Sequence, residues 1–366
     1  MTSWRRHARW LVTRGLALFV VGAVGPAAGW QVTSNLVYAT AATRAHSGGG
    51  TTHLLLDVYA PDEPSGRERP TLVLVHGGSF VAGDKTSPEI VDAACYFAER
   101  GWVCAAINYR LTADDPPVPW WVELYGDPQL SAAYAAVVDT KRAMRWVRTH
   151  AGEWQVDPRR LAVLGHSAGA FCAVLAAITD EDDFANDAGT GVPDLYPEQS
   201  GKPNAAVEVS GGDAMFDAEY DAADPPLMIW HGDADTVVPY TNALAVAAQC
   251  AAHGIPYRFC TLAGKQHGAE TWLATVDGRN IKERTEDFLD RFFKLRVALA
   301  CATDGPVLSW PGLTNARYQV LSAPTLDVAF TNLLLVQATS ETVRVSLSGT
   351  NRPAAFLRVR ILSGQW

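Results

Sequence analysis

The chain has 366 residues, 48% of them hydrophobic and 19% charged, with a formal net charge of −9. That length and composition can bury a sizeable core and exclude a disordered chain. Removing the four arginines of the first 29 residues from −9 leaves −13, an acidic balance that excludes a protein built around nucleic-acid phosphates.

The N-terminus reads as an export signal. Arg5, Arg6, Arg9 and Arg14 precede the short apolar run Leu16–Val24, and Pro26-Ala27-Ala28-Gly29 offers small residues for cleavage. The run is shorter than the roughly 20 residues that span a bilayer, so no stable membrane span is expected.

From Val37 to about Phe293 strands alternate with helices. His53–Tyr59 reads as a strand, and Thr71–Val75 as a strand buried on both faces. Pro88–Arg100 reads as a helix stopped by Gly101, and Val103–Ile107 as a strand. Leu111–Leu130 reads as a loop rich in Pro and aromatics. Ala132–Thr149 reads as a helix, Leu161–Leu164 as a strand and Ala168–Ile178 as a helix. Ala206–Val209, Leu227–Trp230 and Tyr257–Leu262 read as strands, with a helix Tyr240–His253 before the last and an amphipathic helix Lys282–Leu295 after it. This order implies an α/β fold whose mostly parallel sheet is covered on both faces, with ligands at the carboxyl ends of the strands.

After Cys301 the helical period disappears. Tyr318–Leu321, Leu333–Val336, Thr342–Leu347 and Phe356–Ile361 read as strands separated by turn signals at Pro311-Gly312, Ser348-Gly349 and Asn351-Arg352-Pro353. At about 60 residues such an all-β module is marginal alone. Spacing does not pair the cysteines: Cys95 with Cys104, and Cys250 with Cys260, have spacings that allow a helix to be bridged to the next strand. Cys172 reads as a buried free thiol. The absence of C-x-x-C, H-E-x-x-H and P-loop strings leaves no support for a zinc site or a nucleotide, and no cofactor is expected. The acidic run Asp180–Asp183 with Asp187 lacks EF-hand spacing and reads as a solvated face.

Four loops after strands carry chemistry. Gly165-His166-Ser167-Ala168-Gly169 fits G-x-S-x-G between a buried strand and a helix, a sharp turn that presents a serine hydroxyl. His76-Gly77-Gly78-Ser79-Phe80 follows the strand Thr71–Val75. Its Gly78 and Ser79 N–H groups, with that of Ala168, are candidates to hold a negatively charged oxygen. Gly264-Lys265-Gln266-His267-Gly268 follows the last strand, and His267 is the candidate base. His231–Pro239 follows another strand and contains two aspartates, Asp233 and Asp235, either of which is at a strand end suited to orient an imidazole. His231, His150 and His253 read as structural. Trp120 and Trp121 are candidate substrate-binding residues for an aromatic acyl group or a sugar, or equally the core of a lid.

Together these segments resemble the α/β-hydrolase superfamily, and within it the carboxylesterase and feruloyl-esterase-like branch with an H-G-G-x-F oxyanion loop, over roughly residues 35–295. The string H-G-x-x-D-x-x-V-P resembles the acid loop of dienelactone-hydrolase-like and prolyl-oligopeptidase-like members, and that resemblance selects Asp235 as the acid. The resemblance implies a Ser167–His267–Asp235 triad, an acyl-enzyme and no cofactor. It departs from the hormone-sensitive type, where the fourth loop residue is Gly; here it is Ser79. The expected organisation is an export signal over 1–29, an α/β-hydrolase catalytic domain over 30–300 and a β-sandwich-like module over 301–366. The last resembles β modules appended to secreted bacterial enzymes. The expected protein is a secreted or periplasmic serine esterase. Its expected partner is a small-molecule or polysaccharide-linked ester substrate. The alternative is an exopeptidase or amidase using the same site.

Overall fold

Alternating strands and helices fold into a central sheet with helices on both faces. The computed structural model describes residues 29–44, 50–62, 68–184, 195–213, 219–293, 298–302, 305–311, 317–323, 331–337, 342–347 and 356–363. The export signal expected over 1–29 therefore lies, but for Gly29, outside the described residues, as does Asp187.

The main part runs β1 (Trp30–Thr43), β2 (Gly50–Pro61), β3 (Arg69–Val75), α1 (Pro88–Ala98), β4 (Val103–Ile107), α2 (Trp120–Glu123), α3 (Pro128–Thr149), α4 (Ala151–Trp154), β5 (Val156–His166) and α5 (Ala168–Ile178). It continues β6 (Ala205–Val209), β7 (Leu227–Gly232), α6 (Tyr240–His253), β8 (Tyr257–Leu262), α7 (Ala269–Trp272), β9 (Thr275–Val276), β10 (Arg279–Asn280) and α8 (Ile281–Phe293). Among the described residues eight strands form one sheet in the order β1-β2-β4-β3-β5-β6-β7-β8. Strands β3 to β8 are parallel, and β1 and β2 join antiparallel at one edge.

The period of two along β3 divides the core. Val73 and Val75 pack with Val137 and Met144 of α3 and Leu175 of α5 on one face. Leu72 and Leu74 pack with Ile90 and Phe97 of α1 and Phe288 of α8 on the other. Each side chain so buried contributes about 1.5–3 kcal/mol, which is why a continuous apolar run rather than an alternating one marks this strand.

The chain steps from β3 to β4 in one direction, then crosses back over β3 to reach β5. The loops leaving β3 and β5 therefore diverge at a switch point, which opens a crevice at the strand ends.

The stretch 111–130, expected to be a loop, contains the short helix α2, and α3 begins at Pro128 instead of Ala132. The Asp127 side chain accepts from Gln129 N at 2.9 Å, and Pro128 occupies the first turn, a cap that extends the helix backward. The cysteine pairs allowed by spacing are not formed: Cys95, Cys104, Cys250 and Cys260 are free thiols. Cys250 belongs to one core and Cys260 to the other, so the sheet separates them.

Toward the C-terminus β11 (Ala298–Ala302), β12 (Gly305–Pro311), β13 (Arg317–Ala323), β14 (Thr331–Gln337), β15 (Thr342–Ser346) and β16 (Phe356–Ser363) form two three-stranded antiparallel sheets, β11-β12-β15 and β14-β13-β16. Trp310 of β12 and Tyr318 of β13 meet at 5.5 Å, and with Leu308, Val320 and Val343 they make an apolar cluster shared by the two sheets. Among the described residues no helix is long and apolar enough to cross a membrane.

Candidate active site

Ser167 stands between β5 and α5 with φ 53° and ψ −120°, a conformation L-residues rarely hold. Bare backbone on either side makes it attainable. A Cβ at Gly165 would lie 1.9 Å from Gly169 O, and one at Gly169 would lie 2.1 Å from Val75 O. The Ser167 N–H donates to Val209 O of β6 at 2.9 Å, which ties the turn to the sheet.

The loop after β3 runs close by. An added Cβ on Gly77 would lie 3.0 Å from Ser167 Cβ. Gly78, Ser79 and Phe80 all take positive φ, at 123°, 54° and 60°, so successive N–H groups are turned away from a ladder. The loop is pinned from several sides. Gly78 O accepts from Val81 and Ala82, and Gln129 of α3 donates to Ser79 O at 2.9 Å. His76 Nδ1 donates to Gly77 O at 2.7 Å while its ring stacks on Tyr109 at 4.2 Å. Burial holds the His76 imidazole below its ordinary pKa, in keeping with a neutral, structural ring. Ala168 opens α5, where position alone leaves its N–H without an intrahelical acceptor.

Asp235 follows β7. Its Oδ1 accepts the N–H groups of Val237 and Val238, each at 2.9 Å. Its Oδ2 accepts from His267 Nδ1 at 2.7 Å. Burial alone would raise this carboxyl, but the bonds from His267, Val238 and Val237 outweigh it and hold the group below its ordinary value. An ionised carboxylate only accepts, so Nδ1 carries the proton and Nε2 is left as an acceptor. Ser167 Oγ donates to it at 2.9 Å. Asp233, the other aspartate of the loop, accepts from Gly264 N at 2.6 Å and so holds the segment that carries His267. His231 is fully buried, and its Nε2 donates to Val238 O at 2.9 Å.

The structure thus brings Ser167, His267 and Asp235 into one hydrogen-bonded chain and sets the Gly78–Ser79 loop beside it. It does not gather Trp120 and Trp121 there in the same way. Trp120 is exposed, and Trp121 meets Tyr134 edge-on at 5.7 Å beside a cleft lined by Phe184 and Asp183. Asp180, Asp183 and Glu219 bring carboxylate oxygens within 4.8 Å of one another, with Lys202 Nζ 3.7 Å from Asp180. Two neighbours of the chain had no signal in the sequence. Glu208 of β6 is buried 3.9 Å from His231. Glu89 of α1 stands 3.8 Å from His166. Both contacts join residues far apart in the chain, and neither pair forms a recognisable string.

Known proteins are similar to parts of this chain. The family model BD-FAE matches residues 56–220. That span carries the oxyanion-type loop and the serine turn. Over that span the chain is similar to members of that family. Esterase LipQ of Mycobacterium tuberculosis (strain ATCC 25618 / H37Rv) is 28% identical over 279 residues, which cover 66% of this chain and 60% of that protein. The same organism's "Probable carboxylic ester hydrolase LipM" is 28% identical over 217 residues, covering 51% and 46%. The chain thus spans about half the length of these curated relatives. Among solved structures, the apo form of Thermogutta terrifontis esterase 2 superposes with a TM-score of 0.52 at 23% identity, covering 74% of this chain and 94% of that one. That likeness establishes the α/β-hydrolase fold. The outer strands β1 and β2 and the parallel strands β3 to β8 are the eight strands of the sheet in this fold.

Proposed function

We propose that the protein is a serine hydrolase that cleaves carboxylic esters through an acyl-enzyme. Ser167 Oγ attacks the ester carbonyl as His267 Nε2 takes its proton. The Gly78, Ser79 and Ala168 N–H groups hold the oxyanion of the tetrahedral intermediate. His267 returns the proton to the leaving alcohol oxygen, and the acyl group stays on Ser167. A water then attacks the acyl-enzyme, gives its proton to His267, and releases the acid as Ser167 recovers its hydrogen. Asp235 keeps the imidazole in the tautomer these transfers require and stabilises its charged form.

The observation that carries this reading is the pair of contacts at His267, 2.9 Å to Ser167 Oγ and 2.7 Å to Asp235 Oδ2. The names of LipQ and LipM support an ester as the substrate. The test is turnover of p-nitrophenyl butyrate together with fluorophosphonate labelling. Ser167→Ala is expected to abolish both, and retained turnover by that variant would remove the serine from the mechanism. Export is also proposed, on the arginine-rich and then apolar N-terminus alone; N-terminal sequencing of protein recovered from outside the cytoplasm tests it, and an intact Met1 there counts against cleavage.

A further inference from the structure

Behind Asp235 lie a second imidazole and a second carboxylate that the reaction above does not use. Glu208 is the one charged residue of β6, and His231 stands near the end of β7; both are fully buried. The two strands are adjacent and parallel. Their period of two puts both side chains on the sheet face of Ala206 and Ile229, which pack in the core with α5. Glu208 Oε1 lies 3.9 Å from His231 Nδ1 and also accepts from Gly211 N at 3.2 Å. At the other end of the ring, Nε2 is 2.9 Å from Val238 O and 3.4 Å from Asp235 Oδ2. That same Oδ2 accepts from His267 Nδ1 at 2.7 Å, so it sits between two imidazoles.

A carbonyl only accepts, so His231 Nε2 carries a hydrogen, and the state of Nδ1 decides the charge of the ring. A buried carboxylate without a cation is costly, and His231 is at ion-pair distance from two of them, Glu208 and Asp235. Burial alone would strip the ring of its second proton, but Glu208, Val238 O and Asp235 outweigh it and hold the imidazole above its ordinary pKa. Burial also lifts the Glu208 carboxyl, from a lower starting value. The other titratable groups about the pair are Asp213, which accepts from Tyr220 Oη at 2.7 Å, and Tyr240 and Cys250 of α6; none of these supplies a positive charge. We propose that His231 is held as an imidazolium by Glu208, and that the two are positioning residues for Asp235. The charge of His231 fixes Oδ2 from behind and opposes its protonation. Its Nε2–H also holds Val238 O, in the segment whose Val237 and Val238 N–H groups bind Oδ1. This inference rests on the serine-hydrolase reading.

The consequence is a range of activity extended toward acid. The base of the reaction serves only while unprotonated, so kcat/KM falls on the acid side. A positive charge 3.4 Å from Oδ2 opposes proton uptake along the Asp235–His267 chain. His267 is also faced by His166, whose ring stacks on it at 5.5 Å and has Glu89 3.8 Å away; the test leaves both in place. Neutron diffraction from the wild type, exchanged into heavy water at neutral pH, reads the proton directly. Deuterium is expected on both ring nitrogens of His231 and on neither oxygen of Glu208; a bare Nδ1 overturns the proposal. His231→Gln keeps an N–H for Val238 O and removes the charge. Its kcat/KM for p-nitrophenyl butyrate, followed across pH, is expected to show the acid limb moved up by about half a unit. A limb that stays in place or moves down overturns the proposal however much rate is lost, because a merely structural role slows the enzyme without moving the limb. Should that variant not fold, the neutron result decides alone. Failure of the wild type to turn over the ester, together with no fluorophosphonate on Ser167, overturns the serine-hydrolase reading instead, whatever the state of Nδ1.

Discussion

Gly169 lies two residues past Ser167, in the first turn of α5, with its Cα against the β3 backbone. The substitution Gly169→Ala would set a Cβ 2.1 Å from Val75 O and 2.6 Å from His76 O. Both are backbone atoms of a buried strand and its end, so no side chain can swing aside. Restoring an ordinary contact requires the start of α5 to retreat by about 1 Å in a close-packed interior. Ser167 moves with that turn, since its carbonyl accepts from Ala170 N at 2.8 Å. A shift of that size stretches the 2.9 Å contact between Ser167 Oγ and His267 Nε2 beyond hydrogen-bond reach. Displacement of a reacting group by this amount costs about 10²-fold in rate, and the overpacking costs about 1–3 kcal/mol. The expected result is a kcat/KM on p-nitrophenyl butyrate lowered about 100-fold, with a Tm several degrees lower. Gly152→Ala in α4 is the matched control. There an added Cβ meets nothing within 4 Å, and alanine in a helix is favoured over glycine by up to about 1 kcal/mol. Its activity should be unchanged and its Tm equal or higher. A Gly169→Ala protein with wild-type kcat/KM and melting would refute the steric account of the serine turn.

Asp235→Asn is expected to lower kcat by about 10³–10⁴ with a smaller effect on KM, because the amide no longer fixes the Nδ1–H tautomer of His267; an unchanged kcat on p-nitrophenyl butyrate would remove the acid from the chain. The Asp235 carboxyl is held below its ordinary value in the folded state, so the stability it confers is complete above the ordinary carboxylate value and is lost as pH falls through the folded one. Urea titrations from pH 6 down to pH 3 should therefore show the wild type losing stability more steeply than Asp235→Asn, and parallel losses would contradict the shift. Asp139 of α3 accepts from Arg110 Nε at 2.9 Å and Nη2 at 2.7 Å, with both side chains fully buried. Asp139→Ala removes the carboxylate facing that guanidinium and should cost about 3–5 kcal/mol by urea unfolding; a loss below about 1 kcal/mol would show that the pair is not what holds α3 to the loop after β4.

The internal strands and long helices were legible because each carries its own period. Thr71–Val75 is apolar on both faces, and both faces are covered. The edge strand β1 was not legible as a strand. It carries register shifts and a positive φ at Asn35, and its outer half is largely exposed, so no alternation of apolar and polar residues marks it. The first turn of α3 was missed because Asp127-Pro128, read as part of an aromatic loop, is a cap rather than a break. Among the cysteines, spacing allowed bridges that the sheet itself prevents for Cys250 and Cys260.

The order of strands and helices, the glycines on either side of Ser167, and the presence of a serine, an acid and a histidine on loops after strands are properties of the sequence, since each is a local pattern of residue size and polarity. Which groups meet is a tertiary matter. The 2.7 Å and 2.9 Å contacts at His267, the 3.8 Å gap between Glu89 and His166, and the burial of Glu208 against His231 join residues that lie far apart in the chain. Only the packing of parallel strands, with the crossover that reverses direction at β3, carries their loops to one edge, and that packing depends on the whole core rather than on any one segment.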